Sequence, residues 1–332
     1  NFIREVDFYS GAFPANRGNA LSSVMELKQI NGSDEDFSAS FMVGSSDAGL
    51  TINTPLSQKS SLLLSARRSY LQFLFKALQL PFLPTYNDIQ LKYTFNPNPK
   101  NQFNVIGLAA IDNFNLNPDA NEGIDDPQKL AQNEYTLNNL PINEQWNYSL
   151  GGTWKRFFDN SNLLVVMSRS HLNNTAIKYQ DYADLYSPKI IDYESQEIEN
   201  KSRIEYNFRE NNIKFNVGLN LEDATYLNST QRILTSEESI YTKLVETDLH
   251  FIKYGAFTQL SKNYLVDRLV TSIGFRMDGN SFTDNTTTPN FSPRLSLSYK
   301  LSGKSSLNAN LGRYYQLPAY TILGYGLNNN FF

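Results

Sequence analysis

The sequence predicts an all-β protein, an antiparallel transmembrane β-barrel preceded by a small separate element. Three observations carry this. Apolar and polar residues alternate with period two in about a dozen segments of roughly ten residues, the length a tilted strand needs to cross a bilayer. Short polar turns alternate with long polar loops along the chain, as the two ends of such a barrel require. No stretch approaches the ~18 consecutive apolar residues of a spanning helix. The richest, 71–83, is broken by Gln72, Lys76, Gln79 and Pro81.

Composition narrows the function classes. The 332 residues carry a net charge of -4, which leaves no basic footprint for nucleic acid. Aromatic residues at 13% are too many for a disordered chain. With no cysteine, disulfide frameworks and thiolate metal sites are excluded. The chain starts at Asn1 without a signal peptide and reads as a mature protein or, more readily, a fragment.

The elements follow in order. Residues 1–9 and 21–29 are strand-like and flank a stretch of small and turn-forming residues, so 1–35 reads as a unit of its own before a barrel region of 36–332. Within 71–80, Leu71, Leu74, Phe75 and Leu78 recur at helical spacing, which predicts a short amphipathic helix against the barrel rim. Ile89, Leu91, Tyr93 and Phe95 alternate with Asp88, Gln90, Lys92 and Thr94. Ile213, Phe215, Val217, Leu219 and Leu221 alternate with Lys214, Asn216, Gly218, Asn220 and Glu222, and the segments at 269–278, 294–300 and 307–312 repeat the pattern. Short turns are expected at 96–100, 157–160, 209–212, 261–263 and 302–304, on the periplasmic side. Long loops are expected at 112–144, 173–198, 223–245 and 279–290, on the extracellular side. Trp146 and Trp154, eight residues apart on one strand face, are about 26 Å apart along an extended strand. That spacing suits the two aromatic girdles of an apolar band about 25 Å tall. A soluble β-sandwich also alternates, but with shorter strands and more frequent turns.

Catalytic chemistry has little support. His171 and His250 are expected at strand ends near the long loops, as solvated or interfacial residues, and no G-x-S-x-G elbow occurs. The reading is therefore not an enzyme. Asp112, Asp119, Glu122, Asp125 and Asp126 cluster in one loop, but Gly123 stands one place too early for an EF-hand, so a solvated acidic loop is expected rather than a calcium site. No cofactor is implied.

The run Glu5 to Leu27, with Gly11, Pro14, Arg17 and Gly18 in its centre, resembles the end of the plug domain of TonB-dependent outer membrane receptors. Gly11 and Gly18 match the family's two glycines, where a positive φ or close backbone packing is needed. Arg17 stands where many members have an aromatic residue. Further stretches are similar to the barrel of the same family, especially its Bacteroidetes branch: Ser65-Ala66-Arg67-Arg68-Ser69-Tyr70, Tyr86 to Tyr93, and Ser292-Pro293-Arg294 followed by Gly312 to Pro318.

The resemblance implies 22 strands around the plug, of which about thirteen are visible. It implies a TonB-type energy-transducing partner reached through a segment not seen here, a surround of outer membrane lipid, and import of a small-molecule, glycan or peptide ligand. A surface lipoprotein lid belongs to the glycan-import branch. Tyr179, Tyr182 and Tyr186 are placed to stack on sugars or to pack the rim. Strands running away from the plug end at the extracellular side, and their polar faces look inward. This selects Asn220, Glu222, Arg276, Asp278, Tyr314 and Gln316 as lumen-facing, ligand-contacting candidates. A passive porin and a soluble β-rich binding module remain alternatives.

Overall fold

The structure is a computed structural model that describes residues 2–11, 13–235, 240–282 and 289–328. Strands β1 (Ile3–Ser10) and β2 (Ser23–Gln29) form an antiparallel two-stranded sheet. The remaining strands are β3 (Ser38–Val43), β4 (Asp47–Ser57), β5 (Ser60–Ser69), β6 (Phe82–Asn98), β7 (Asn101–Leu116), β8 (Ile142–Phe157), β9 (Ser161–Tyr179), β10 (Lys189–Glu210), β11 (Ile213–Thr235), β12 (Ile240–Tyr264), β13 (Leu269–Asn280), β14 (Asn290–Ser302) and β15 (Ser305–Gly312). These thirteen make one meander in which each strand pairs with its neighbours in sequence. Helices α1 (Leu71–Ala77), α2 (Pro127–Asn139) and α3 (Tyr320–Asn328) lie in the connections. No helix among the described residues is long and apolar enough to cross a membrane.

The sheet curves around the β1–β2 hairpin. Lys92 on β6 donates to the Gln29 carbonyl at 3.1 Å, while Arg294 on β14, eight strands further along, reaches Phe13. Polarity is inside-out. Leu219, Phe275, Met277 and Leu295 are exposed, whereas Lys92, Glu205, Lys253, Arg276 and Arg294 are buried on the opposite face. Apolar stripes facing outward and a polar interior fit a sheet with lipid outside and a filled lumen inside. Aromatic side chains form a row where the short turns lie, Phe95 tilted against Phe103 and Phe103 stacked on Trp154, and Trp146 stacks on Tyr148 towards the other edge.

The strands run longer than the sequence predicts. The expected loops at 173–198 and 223–245 are mostly strand: β9 continues to Tyr179, β10 starts at Lys189, β11 runs to Thr235 and β12 starts at Ile240. β12 alone has 25 residues, about 80 Å of chain at ~3.3 Å per residue, far more than a band about 25 Å tall needs. The reason is an exchange of faces. Along β12, outward Tyr254 and Ile252 give way to His250, Asp248 and Glu246, while inward Lys253 gives way to Phe251, Leu249 and Val245. Period two persists, but the polar side now faces outside solvent, so the segment reads as a polar loop.

Other boundaries shift as well. The turn expected at 261–263 falls at 265–268, because β12 runs through those turn-forming residues and closes with Leu265, Val266 and Asp267 at φ 54, 52 and 63°. The expected loop at 112–144 contains α2. Asp126 caps it by accepting from the Gln128 N–H at 2.9 Å, with Pro127 in the first turn. Asn121 and Tyr182 both donate to Glu134 on α2. Burial and that carboxylate push the Tyr182 hydroxyl above its ordinary pKa. Tyr182 thus packs the rim, whereas Tyr186 is fully exposed. α1 covers part of the predicted helix; Phe75 packs edge-on to Phe82, but Leu74 and Leu78 are exposed.

The lipid-facing assignment is testable. Leu219→Arg, midway up the outward stripe of β11, should destabilise the protein folded into vesicles by about 2–4 kcal/mol in urea titrations. Leu244→Arg, outward on the β12 extension, should stay within about 0.5 kcal/mol.

Candidate functional site

Between β1 and β2 the chain makes an excursion whose neck is closed by the Gly11 N–H donating to the Ser22 carbonyl at 2.9 Å. Gly11 sits at φ +87°, a conformation L side chains rarely adopt. The excursion inserts against the sheet, burying Phe13 and Ala15. Its backbone belongs to no strand or helix, so its buried carbonyls need donors from elsewhere.

Three arginines on the wall supply them. Arg294 Nη1 donates to the carbonyls of Phe13, Pro14 and Arg17 at 3.1, 2.6 and 2.7 Å. Arg276 Nη1 donates to the Ala15 carbonyl at 3.3 Å, and Arg203 Nη1 to that of Asn16 at 3.2 Å. Every carbonyl from 13 to 17 therefore meets a guanidinium. In return the Ala15 N–H donates to Gln259 Oε1 at 2.7 Å. Guanidinium suits this task because it offers five fixed donors and stays charged.

The buried charges are compensated locally. Arg276 pairs with Asp278 at 2.5 Å and donates to Asn220 Oδ1 at 3.0 Å, and Arg203 pairs with Glu205. Arg294 lies against the rings of Phe13 and Tyr314, 4.9 and 4.6 Å from their centroids. Gly18 has an ordinary φ, and its reason is contact: a Cβ there would stand 2.3 Å from Arg276 Nε. The two glycines thus separate the two explanations the sequence offers. Arg17 forms an ion pair with Glu26 at 2.5 Å.

A second charged cluster lies beside the first. Lys253 contacts Glu222, stands 3.6 Å from Glu199 and donates to the Tyr320 hydroxyl at 2.6 Å. Lys201 pairs with Glu199 at 2.5 Å. The Tyr320 hydroxyl donates to Glu199, and it lies 3.3 Å from Glu222 Oε1. Burial, then the Glu199 carboxylate, push its pKa far above the ordinary phenol value. Above this cluster Tyr226, Leu249, Phe251 and Tyr320 form an aromatic-rich core with Leu317 and Leu323 packed on it.

Between the clusters is a cavity of about 500 Å³. Asn16, Arg17 and Gly18 bound it on the excursion side, and Asn220, Glu222, Arg276 and Asp278 on the wall. Gln316 also lines it, whereas Tyr314 lies apart, its ring 4.5 Å from that of Phe13. Tyr314 and Gln316 were expected on a strand. β15 ends at Gly312, and both residues sit in a coil that turns inward, with the Leu317 N–H given to Asn19 Oδ1 at 2.9 Å before Pro318. Sequence reasoning did not select Arg203, Arg294, Lys201, Lys253 or Tyr320. The inward parity of a long cation on β10 and β14 was the available signal.

His171 and His250 stand in mid-strand on the outer face, not at strand ends, because β9 and β12 extend further than predicted. They contact Gln196 at 3.0 Å and Asp223 at 2.6 Å. In the acidic loop, Asp119 pairs with Lys76 at 3.6 Å. Among the described residues, no three His, Cys, Asp or Glu are grouped to hold a metal.

A lipid-facing meander wrapped around an N-terminal hairpin defines an outer membrane barrel with an occupied lumen. Residues 69–331 match the family model described as TonB dependent receptor-like, beta-barrel, and the chain belongs to that family. It is a family of receptors rather than enzymes. Among solved structures, P. aeruginosa FpvA bound to heterologous pyoverdines superposes with a TM-score of 0.69 at 12% identity, over 93% of this chain and 46% of its own. The ferric enterobactin receptor PfeA of Pseudomonas aeruginosa, in a mutant form, gives 0.66 at 14%, over 94% and 49%. The outer membrane transporter YddB from Escherichia coli gives 0.62 at 12%, over 98% and 49%. At these identities the likeness is one of fold. The chain spans about half the length of these structures. No curated protein matches the sequence.

Arg294→Ala removes the donor from three carbonyls and should cost about 3 kcal/mol, with Arg294→Lys recovering only part. Hydrogen exchange should rise at the amides of 13–19 and stay slow in the centres of β10 to β13. Gly18→Val should loosen the same segment by displacing Arg276.

Proposed function

We propose that the protein is an energy-coupled importer, in which residues 1–35 are the end of a plug and 36–332 belong to the surrounding barrel. A ligand enters from the extracellular side and meets the cavity above residues 16–19. A TonB-type partner in the inner membrane then draws the plug away from the wall. The observation that carries this reading is the grip on the excursion by arginine-to-carbonyl hydrogen bonds. Hydrogen bonds of this kind exchange readily with water, so the segment is held firmly at rest yet leaves without exposing a large apolar face. A passive pore has no use for such a grip.

The cavity favours a polar ligand. Lys201, Lys253 and Arg276 offer donors, and Glu222, Asp278 and Asn220 offer acceptors, all within one concavity. Asn220, Glu222, Arg276, Asp278 and Gln316 are the proposed contact residues, with Tyr314 acting through Phe13. The solved relatives include a ferric enterobactin receptor and a pyoverdine-bound receptor, and the fold likeness supports a small-molecule ligand here. A lipoprotein lid has no support in the geometry.

A single reporter tests the coupling. These 332 residues hold no cysteine and Ala15 is fully buried, so Ala15→Cys in the full-length receptor, with any cysteine elsewhere replaced by serine, labels with a maleimide only when the excursion leaves the wall. Labelling should appear in energised cells and disappear when the TonB-type partner is deleted. Equal labelling in both strains would overturn the energy coupling.

A further inference from the structure

We propose that the segment from Tyr315 to Leu323 is a lid that shuts the cavity towards the extracellular side. The Tyr320 hydroxyl bolts it to the wall, and Asn19 ties it to the excursion. The role of the lid rests on the proposed import through this cavity; the closure itself does not.

β12 runs from Ile240 at the extracellular end to the periplasmic turn after Tyr264, so Phe251 and Leu249 stand above Lys253. α3 lies at that upper level. Tyr320, Leu323 and Gly324 fall at helical spacing and face the wall, while Thr321 and Ile322 are exposed. Leu317 and Leu323 pack on the core formed by Tyr226, Leu249 and Phe251. The fit is closest at Gly324, where a Cβ would stand 2.7 Å from Thr247 Cγ2 and 3.0 Å from Tyr226 Cε1. Below α3, Tyr315, Gln316 and Leu317 line the cavity itself. The helix therefore roofs the cavity and the coil walls one side of it.

The contacts are those of a closure that opens. Its root is fixed: the Arg313 N–H donates to the Pro293 carbonyl at 3.0 Å, and Tyr314 lies against Phe13 and Arg294. From Tyr315 to Ala319 the chain belongs to no strand or helix, so it swings without breaking a ladder. The bolt is neutral. The Tyr320 hydroxyl accepts from Lys253 at 2.6 Å and donates to Glu199. When it leaves, Lys253 keeps Glu222 and Lys201 keeps Glu199, so opening leaves no buried charge unpaired. The vacated notch then presents an ammonium and two carboxylates to whatever has entered. The tie is the Leu317 N–H, given to Asn19 Oδ1 at 2.9 Å. Asn19 belongs to the excursion and holds φ 53°, a conformation asparagine tolerates. Lifting the lid frees one corner of the excursion, and drawing the excursion away releases one tie of the lid. The two movements are coupled in both directions.

The test reads closure directly and needs neither ligand nor TonB-type partner. In the purified full-length receptor, with any other cysteine replaced by serine, Ser168→Cys places a thiol in the cavity. Its rate of reaction with a charged methanethiosulfonate reagent is measured with the native lid and with variants. Tyr320→Phe removes the bolt and keeps the ring, and Asn19→Gly removes the tie and keeps the backbone conformation. Each should raise the rate about tenfold, the effect of one hydrogen bond worth about 1.4 kcal/mol. Gly324→Val, which pushes α3 off the wall, should raise it at least as much. Ile322→Ala, on the exposed face of α3, should leave it unchanged. Heat-modifiable migration verifies folding, and if Gly324→Val fails to fold, the other two variants decide. Equal rates with the native lid and with Tyr320→Phe would overturn the lid. A rise for Tyr320→Phe without one for Asn19→Gly would overturn the link to the excursion. Loss of energy coupling in the Ala15→Cys reporter would leave these rates untouched, so the two readings fail separately.

Discussion

Five consecutive carbonyls, at residues 13 to 17 of a segment packed against the wall, impose the constraint on which this architecture turns. They sit in a segment with neither helix nor strand to satisfy them; a turn bond from the Arg17 N–H reaches Pro14, and leaving the others bare would cost a desolvation penalty wherever water is excluded. Arginines from β10, β13 and β14 meet them all. Strands distant in the meander must therefore converge on one short segment, which sets the curvature of the sheet around the hairpin. Two of these arginines, Arg203 and Arg276, meet counter-charges in Glu205 and Asp278 two residues away on the same strand faces, while Arg294 lies over the rings of Phe13 and Tyr314. The wall of the cavity beside Asn16 is thus a by-product of holding the backbone, and its polarity follows from that role.

The second organising feature is the exchange of faces along the long strands. A strand that passes from lipid into water meets two solvents, and its side chains answer each in turn. Below the level of Asn200 and Asp223 the outward face is apolar and the inward face polar. Above it, His250, Asp248 and Glu246 face outward, while Phe251, Leu249 and Tyr226 join an aromatic core inside. Backbone pairing continues unbroken across the boundary. The extensions above the membrane are consequently rigid sheet rather than loose loop, and they carry the core against which Tyr320 is placed.

That placement links the mouth to the cavity. Tyr320 belongs to α3, yet its hydroxyl contacts Lys253, Glu199 and Glu222 on three different strands. A chain segment following β15 thus shares hydrogen bonds with the lumen wall, and Leu317 in the same segment is tied to Asn19 of the excursion. Hairpin, wall and post-strand segment form one polar assembly around the cavity.

The sequence by itself determined the architecture and the membrane face. Period-two alternation over segments such as 213–222 and 269–278 has one reading when the apolar side is long enough to span lipid, and Gly11 marked its turn through a conformation that glycine alone adopts cheaply. It also marked Asn220, Glu222, Arg276 and Asp278 as inward, because parity along a strand is a local property. The helix start at Asp126-Pro127 went unread, because the acidic residues around it read as a solvated loop. What only the tertiary structure decided is which inward residues meet. Arg203, Arg276 and Arg294 lie on three different strands, β10, β13 and β14, and no local pattern states that their guanidinium groups converge on residues 13–17. Nor does it state that Tyr314 and Gln316 leave the sheet, or that most of the described residues in the polar stretches at 173–198 and 223–245 are strand. Convergence depends on the curvature of the sheet and the depth of the excursion, and strand length depends on pairing with a neighbour, both of which exist only once the chain is folded.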